Sequence, residues 1–486
     1  MNKPTIVVGA EKEFCFDYLE RNAKAIATLN DSIFYFAELG MQEIETSRLM
    51  CDLLATAGFS VTRGISGFAS GFCATYGSGA PVVAIHTEYD ANPDNSQASG
   101  VAEQRAIVDG APGHCEGHNA NGAVLVASAL AAKAAMDRHG IQGTLKVFGA
   151  PAEEQLISRP YFVRDGWFDD VDAAFACHIG PGLAVGYGLI QSALMSATFT
   201  FHGETAHAGV APWKGRDALD GVVLMDMGIA QYREHMLPTM RAQRVITNGG
   251  NQPNVIPRTA AVWWMFRDPT AEGVRRLFEQ AKKIAEGAAL MTNTTVATEI
   301  VSAVWPVRGN RTLAELFQRE IEMVGPPDWS KEEDDLARAV QARVKVPVEG
   351  LKRSIDPLKP AVQKAAANDA GDICWKVPMV KFYFPGSIPN VNFHHWAAGV
   401  PLATSIAHKG ALAGAKVMAA AILECLKNPA IIAEAKRTFK EEIAGVEYRP
   451  LLPADQKPPV DLNRVMMEKF RPLMAKHYLK EKPVFS

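Results

Sequence analysis

Apolar runs that end in an acid or a histidine alternate with helical runs through the first part of this chain, and that alternation narrows the fold more than any other feature. The run 81–86 leads into Glu88-Tyr89-Asp90, the run 144–150 into Pro151-Ala152-Glu153-Glu154, and the run 171–177 into His178. Shorter strands are expected at 60–63 and 72–76, after two amphipathic helical stretches between 11 and 58. Strands interleaved with helices predict an α/β fold, a mainly parallel sheet with helices on both faces. Ligands of such sheets bind beyond the carboxyl ends of the strands. A single solvated acid at a strand end is ordinary, but several loops at one rim all carrying acids or histidines point to a site.

The texture changes between about 192 and 306. Strands at 198–202, 244–247, 260–267 and 295–304 are separated by helices near 217–235 and 270–291. Strand, helix, strand, strand, helix, strand reads as a small antiparallel α+β domain inserted into the larger one. The expected domains are therefore 1–191 and 307–486, together forming the catalytic unit, with 192–306 between them. Helix is expected again at 311–324. The stretch 325–370 reads as charged and irregular, 380–384 as a last strand towards His394-His395-Trp396, and 408–427 as a closing helix. The Pro-rich tail reads as a surface wrap.

The densest chemistry lies in Gly113-His114-Cys115-Glu116-Gly117-His118-Asn119. In an extended segment, side chains two apart share a side, so His114, Glu116 and His118 would converge while Cys115 faces away. Imidazole with carboxylate suits zinc, manganese, iron or cobalt. The competing reading is a polar turn in which Asn119 caps a helix over 122–139 that Gly140 closes.

Composition sets bounds. A chain of 486 residues, 48% hydrophobic and 21% charged, can bury a large core. Its net charge of -3 and lack of a basic block argue against nucleic-acid or membrane-surface partners. Seven cysteines without CxxC spacing fit reduced thiols and a cytoplasmic location. The N-terminal run 6–8 is too short for a signal-peptide core, and no apolar run reaches the roughly 18 residues of a membrane span.

Several motifs in order resemble one family. They are Ala37-Glu38-Leu39-Gly40, Glu88-Tyr89-Asp90-Ala91, Gly113-His114 with Gly117-His118-Asn119, Pro151-Ala152-Glu153-Glu154, Ala206-His207-Ala208, Thr247-Asn248-Gly249-Gly250 with Pro253-Asn254-Val255-Ile256-Pro257, and His408-Lys409-Gly410. From about Phe14 to the tail the chain resembles the M20 metallopeptidases, in their amidohydrolase branch. The resemblance implies two divalent metal ions per chain, manganese or zinc, held by Glu116, His118, Glu154, His178 and His394. It also implies that Glu153 is the general base and that His207 reaches across a dimer interface to stabilise an oxyanion. Asn254 and Arg267 fall where the family recognises a substrate carboxylate, although Arg267 could equally pair with Asp268. Asp90 would orient a ligand.

Two positions depart from the branch. Glu116 stands where a cysteine is usual, with Cys115 one place earlier, and the same-side argument favours Glu116. His395 follows His394 where a small residue is usual, and only one of the two is expected to bind metal.

The expected reaction is hydrolysis of the amide of an N-acyl or N-aroyl amino acid, an aminobenzoyl-glutamate-like compound, by a homodimer or a hetero-oligomer. A second reading is hydrolytic deamination of an aromatic amine, suggested by Glu116 and by Asn92, where the branch usually has leucine. A third is a metal-free, non-catalytic member of a hetero-oligomer, which less than one metal per chain would favour.

Overall fold

Two alanine-rich helices lying against one face of a twisted sheet set the architecture. The computed structural model describes residues 8–359, 362–363 and 366–486. Residues 6–7 of the N-terminal run and residues 360–361 and 364–365 of the charged stretch lie outside the described residues. In order, the chain forms α1 (Ala10–Arg21), α2 (Ala23–Phe36), α3 (Ile44–Thr56), β1 (Ser60–Arg63), β2 (Phe72–Ser78), β3 (Val82–Thr87), α4 (His118–His139), β4 (Gly143–Gly149), α5 (Ser158–Arg164), β5 (Ala173–Gly180), β6 (Ala184–Val185) and β7 (Leu189–Ile190). Then follow β8 (Ala193–His202), α6 (Ala218–Tyr232), β9 (Arg241–Asn248), β10 (Thr259–Asp268), α7 (Ala271–Thr292) and β11 (Thr295–Val304). The return segment holds α8 (Arg311–Val324), α9 (Lys331–Arg343), β12 (Val362–Gln363), α10 (Gly371–Lys376), β13 (Met379–Pro385), α11 (Trp396–Gly399), α12 (Ser405–Lys427), α13 (Pro429–Glu442) and α14 (Arg464–Met474).

The large sheet runs β1-β2-β4-β3-β5-β13-β6. Its centre, β4-β3-β5-β13, is parallel, and the edges are antiparallel. Helices α1, α2, α4 and α12 bury one face. Small side chains allow this: a Cβ added at Gly414 of α12 would come within 2.8 Å of Phe384 and 3.0 Å of Val124, so α12 lies closer to sheet and α4 than larger residues permit. By length and composition α12 could cross a membrane, contrary to the reading from the sequence, yet 78% of its apolar window is buried in the core. All seven cysteines are buried and unpaired.

The inserted unit has the expected element order and forms a separate antiparallel sheet, β11-β8-β10-β9, with α6 and α7 packed against it. Three local expectations fail. The charged stretch contains α9, whose start carries a reciprocal capping box between Ser330 and Glu333. The tail folds as α13 and α14 rather than as a bare wrap, and Phe470 and Met474 of α14 bury against Ala37, Ala91 and Ala111. Asn119 is no cap: α4 begins one residue earlier, at His118, and the Asn119 amide donates instead to Leu402 O at 2.9 Å.

Asp372, at the start of α10, ties three segments together. Its Oδ2 accepts the Trp305 N–H at 3.0 Å where the chain leaves the inserted domain, and its Oδ1 accepts the Tyr448 hydroxyl at 2.9 Å. Burial lifts its carboxyl to about 7, against those stabilising donors. A carboxyl raised in the folded state contributes its full stability below the unfolded value near 3.8 and loses it as pH rises to about 7. At most about 4 kcal/mol is at stake over that window. Urea melts between pH 4 and 8 are expected to show this loss in the native protein and a flatter profile in Asp372→Asn.

Candidate metal centre

The loop before α4 bends rather than extends. Gly117 takes φ +81°, and a Cβ there would meet Ile179 Cγ2 at 2.3 Å, so glycine alone lets Glu116 and His118 approach β5. The bend also overturns the same-side expectation for His114. That imidazole turns the other way, donates from Nε2 to Ile33 O at 3.1 Å and stacks on Phe34, where burial holds its pKa down at about 3. Cys115 faces away too, its Sγ donating to Asn92 Oδ1 at 3.0 Å. Asn92 is thereby engaged with a thiol.

Each remaining group arrives on a strand end or an anchored turn. His118 donates from Nδ1 to Asp90 O at 3.0 Å, with Asp90 Oδ1 at 3.2 Å. His178, at the end of β5, donates from Nδ1 to Ile179 O at 2.7 Å. A carbonyl can only accept, so both rings carry a proton on Nδ1 and, when neutral, turn an Nε2 lone pair inward. The rings lie 5.4 Å apart at 89°. Burial opposes a charge on His118, but Asp90 and the surrounding acids outweigh it and hold its pKa well up, so the cluster draws positive charge to this ring.

The acidic pair after Pro151 sits on a turn with Ala152 at φ +58°, pinned where Glu43 Oε1 accepts the Ala152 N–H at 2.8 Å. Glu154 N–H donates to Asp90 Oδ2 at 2.9 Å. Because the turn breaks strand alternation, neighbouring Glu153 and Glu154 both face the centre. Glu153 Oε2 lies 3.8 Å from His118 Nε2, and Glu154 Oε2 lies 3.2 Å from His394 Nε2. Glu116 spans the cluster, with Oε1 at 3.9 Å from His178 Nε2 and Oε2 at 2.6 Å from His394 Nε2. His395 points elsewhere and accepts the Ala397 N–H at the start of α11.

Glu116, His118, Glu154, His178 and His394 are therefore brought together with Glu153 alongside. Two groups have donor atoms within 4.8 Å of one another: Glu116, His118 and Glu154, and Glu88, His118 and His178. Glu88 was visible in the sequence as an acid past a strand, but not as part of this cluster. What hides it is its setting, because Arg159 binds both Glu88 and Asp369, and Lys381 Nζ lies 3.7 Å from Glu88 Oε1. Burial works against ionising Glu88, yet those two cations outweigh it and hold its carboxyl far below the usual range.

The residues fit a cation. His118 Nε2 and Glu154 Oε1 are buried with no hydrogen-bond partner, a state that carries a cost unless something else engages them. Burial and neighbouring Glu88 push the Glu153 carboxyl well up, and in Glu116 the His394 contact overrides burial to hold it at about 2. Crowded acids around imidazoles form an oxygen- and nitrogen-rich donor set of the kind that binds zinc or manganese.

Three candidate residues stand apart. His207 and Asn254 are exposed on the inserted domain, joined by Ala208 N–H donating to Asn254 O at 3.1 Å. Neither touches the cluster. Arg267, partly buried on β10, reaches Met265 Sδ, and Met265 packs with Leu156 and Ala367 beside the acidic turn.

Residues 190–291 match the peptidase dimerisation domain. The chain is 32% identical to one of the named subunits of the p-aminobenzoyl-glutamate hydrolase of Escherichia coli, over 92% of this chain and 98% of that one. It is 27% identical to the Xaa-Arg dipeptidase of Mus musculus, over 73% and 75% of the two chains. Among solved structures, an aminobenzoyl-glutamate utilization protein of Klebsiella pneumoniae superposes with a TM-score of 0.59 at 18% identity, covering 85% of this chain and 98% of that one. A dinuclear metal-binding M20 peptidase of Bacillus subtilis gives 0.54 at 17% identity, covering 84% and 99%. Likeness to the E. coli protein over nearly the full length of both chains, together with the matched dimerisation domain, shows that this chain belongs to the M20 peptidase family.

Proposed function

We propose that this protein is a metal-dependent amidohydrolase that cleaves the amide of an N-acyl amino acid, with an aromatic acyl group and an amino acid of the aminobenzoyl-glutamate kind. The convergence of Glu116, His118, Glu154, His178 and His394 beside Glu153, with His118 Nε2 and Glu154 Oε1 lacking protein partners, carries the reading. Relatives named for p-aminobenzoyl-glutamate and for indole-3-acetyl-aspartate support the substrate class.

Glu116, His118, Glu154, His178 and His394 would hold two divalent ions, manganese or zinc, and Glu88 is placed to join them. Such ions supply Lewis acidity, making water more acidic and polarising the scissile carbonyl. Glu153 takes the proton of the attacking water on Oε2 and passes it to the leaving nitrogen. Asp90 keeps the His118 ring oriented throughout, through its carbonyl and carboxylate. Arg267 offers a guanidinium near the acidic turn for the substrate carboxylate. Deamination loses one of its two supports, because the Asn92 amide is taken by Cys115.

The oxyanion donor in this proposal is His207 of a second copy, with Asn254 beside it. Strand β9 is an open sheet edge on which Val245 and Ile246 are about half exposed, and Val223 and Met227 of α6 are exposed as well. An apolar edge of this kind is a pairing surface. The E. coli relative is named as one of several subunits, which makes a related chain the other partner to test.

Glu153→Gln is expected to keep its metals and lose turnover of p-aminobenzoyl-glutamate by about 10³-fold, measured by glutamate release beside elemental analysis. Removal of metal with a chelator is expected to abolish glutamate release, and manganese or zinc to restore it. Fewer than one bound metal per chain, or full turnover after chelation, would sink the proposal. Paired Val245→Lys and Ile246→Lys substitutions are expected to give monomers by light scattering and to cost at least 100-fold in turnover, the scale of a lost oxyanion donor.

A further inference from the structure

Glu153 is held from the side opposite the cation-binding groups. We infer that Asn368 is a positioning residue for Glu153: its amide grips Oε1 so that Oε2 faces His118. The inference rests on the reading of Glu153 as the base.

Asn368 is 4% exposed, and its Nδ2 donates to Glu153 Oε1. The opposite end of the amide fixes this assignment. Asn368 Oδ1 accepts the Ala370 N–H at 2.9 Å, and since a backbone N–H can only donate, the oxygen belongs there and the NH₂ must face Glu153. Glutamate has three rotatable side-chain bonds, and no other protein hydrogen bond to its carboxylate is seen among the described residues. Without the Asn368 donor, the carboxylate is free to swing among rotamers and lose its alignment with His118.

The support behind Asn368 is stiff. Asp369, the next residue, is ion-paired with buried Arg159 and accepts the Arg159 N–H at 3.1 Å. Ala366 O accepts the Ser192 N–H at 2.8 Å, and Asp372 accepts the Trp305 N–H. Segment 366–372 is thus bonded at both points where the chain passes between the two domains. A base oriented from such a segment keeps the sub-ångström alignment that proton transfer requires. No sequence motif marks this role, because Asn368 and Glu153 are 215 residues apart.

The test uses manganese-loaded, full-length protein carrying Asn368→Asp or Asn368→Ala. Asn368→Asp retains the shape and the acceptor for Ala370 while removing the donor, so it isolates the contact should Asn368→Ala fail to fold. Crystal structures of the variants are expected to show Glu153 displaced from its native rotamer with metal content unchanged. With p-aminobenzoyl-glutamate, kcat is expected to fall about 100-fold while KM stays within about threefold. Adding either substitution to Glu153→Gln is expected to cause no further loss, a coupling that general destabilisation does not produce. A native Glu153 rotamer in both variant structures overturns the inference. An inactive Glu153→Gln beside a fully active Asn368→Ala also overturns it and leaves the base in place, whereas full turnover by Glu153→Gln overturns both.

Discussion

A fully buried guanidinium underlies the whole centre. Arg159 is bonded at once to Glu88, which follows β3, and to Asp369, which precedes α10. Removing carboxylates from water costs several kcal/mol each unless partners replace the lost solvation. Arg159, with Lys381 behind Glu88, supplies that compensation from the core side, so the remaining acids can be directed to the open side where a cation offsets them. Without it, Glu88 and Asp369 would be unpaired charges in an apolar interior.

The parallel sheet turns this local electrostatic solution into a site. Strands β3, β4 and β5 all end at one rim, so Glu88 with Asp90, Glu153 with Glu154, and His178 reach the same place although long helices separate them in sequence. The helix that opens at His118 completes the rim. Small residues in α4 and α12 let the layer behind the sheet pack closely, and the turns that carry ligands stand on that rigid support.

The inserted domain is joined to the rest by more than its two connections. Segment 366–372 bonds Ser192 and Trp305 at those connections, and the same segment carries Asn368 and Asp369. Where the inserted domain attaches and how the acidic turn is oriented are therefore settled by one short piece of chain. Arg267 belongs to this junction, whereas His207 and Asn254 lie on an outer face of the domain.

Much was legible locally. The strand ends at Glu88, Glu153 and His178, the strand and helix order of the inserted domain, and Gly140 closing α4 all follow from periodicity and turn chemistry, which depend on neighbours a few residues away. Helices α9 and α14 escape such a reading because their exposed faces are highly charged, and their burial is decided by distant segments. The bend at Gly117, which sends His114 to the core and Glu116 to the centre, is imposed by contact with Ile179. The partnership of Arg159 with Glu88 and Asp369, and of Asn368 with Glu153, joins residues 71 to 215 positions apart. The sequence by itself determined which side chains could do chemistry and on which strand ends they stand. Only the tertiary structure decided which of them meet, because charge compensation and hydrogen-bond geometry are set by distances in space that no local pattern encodes.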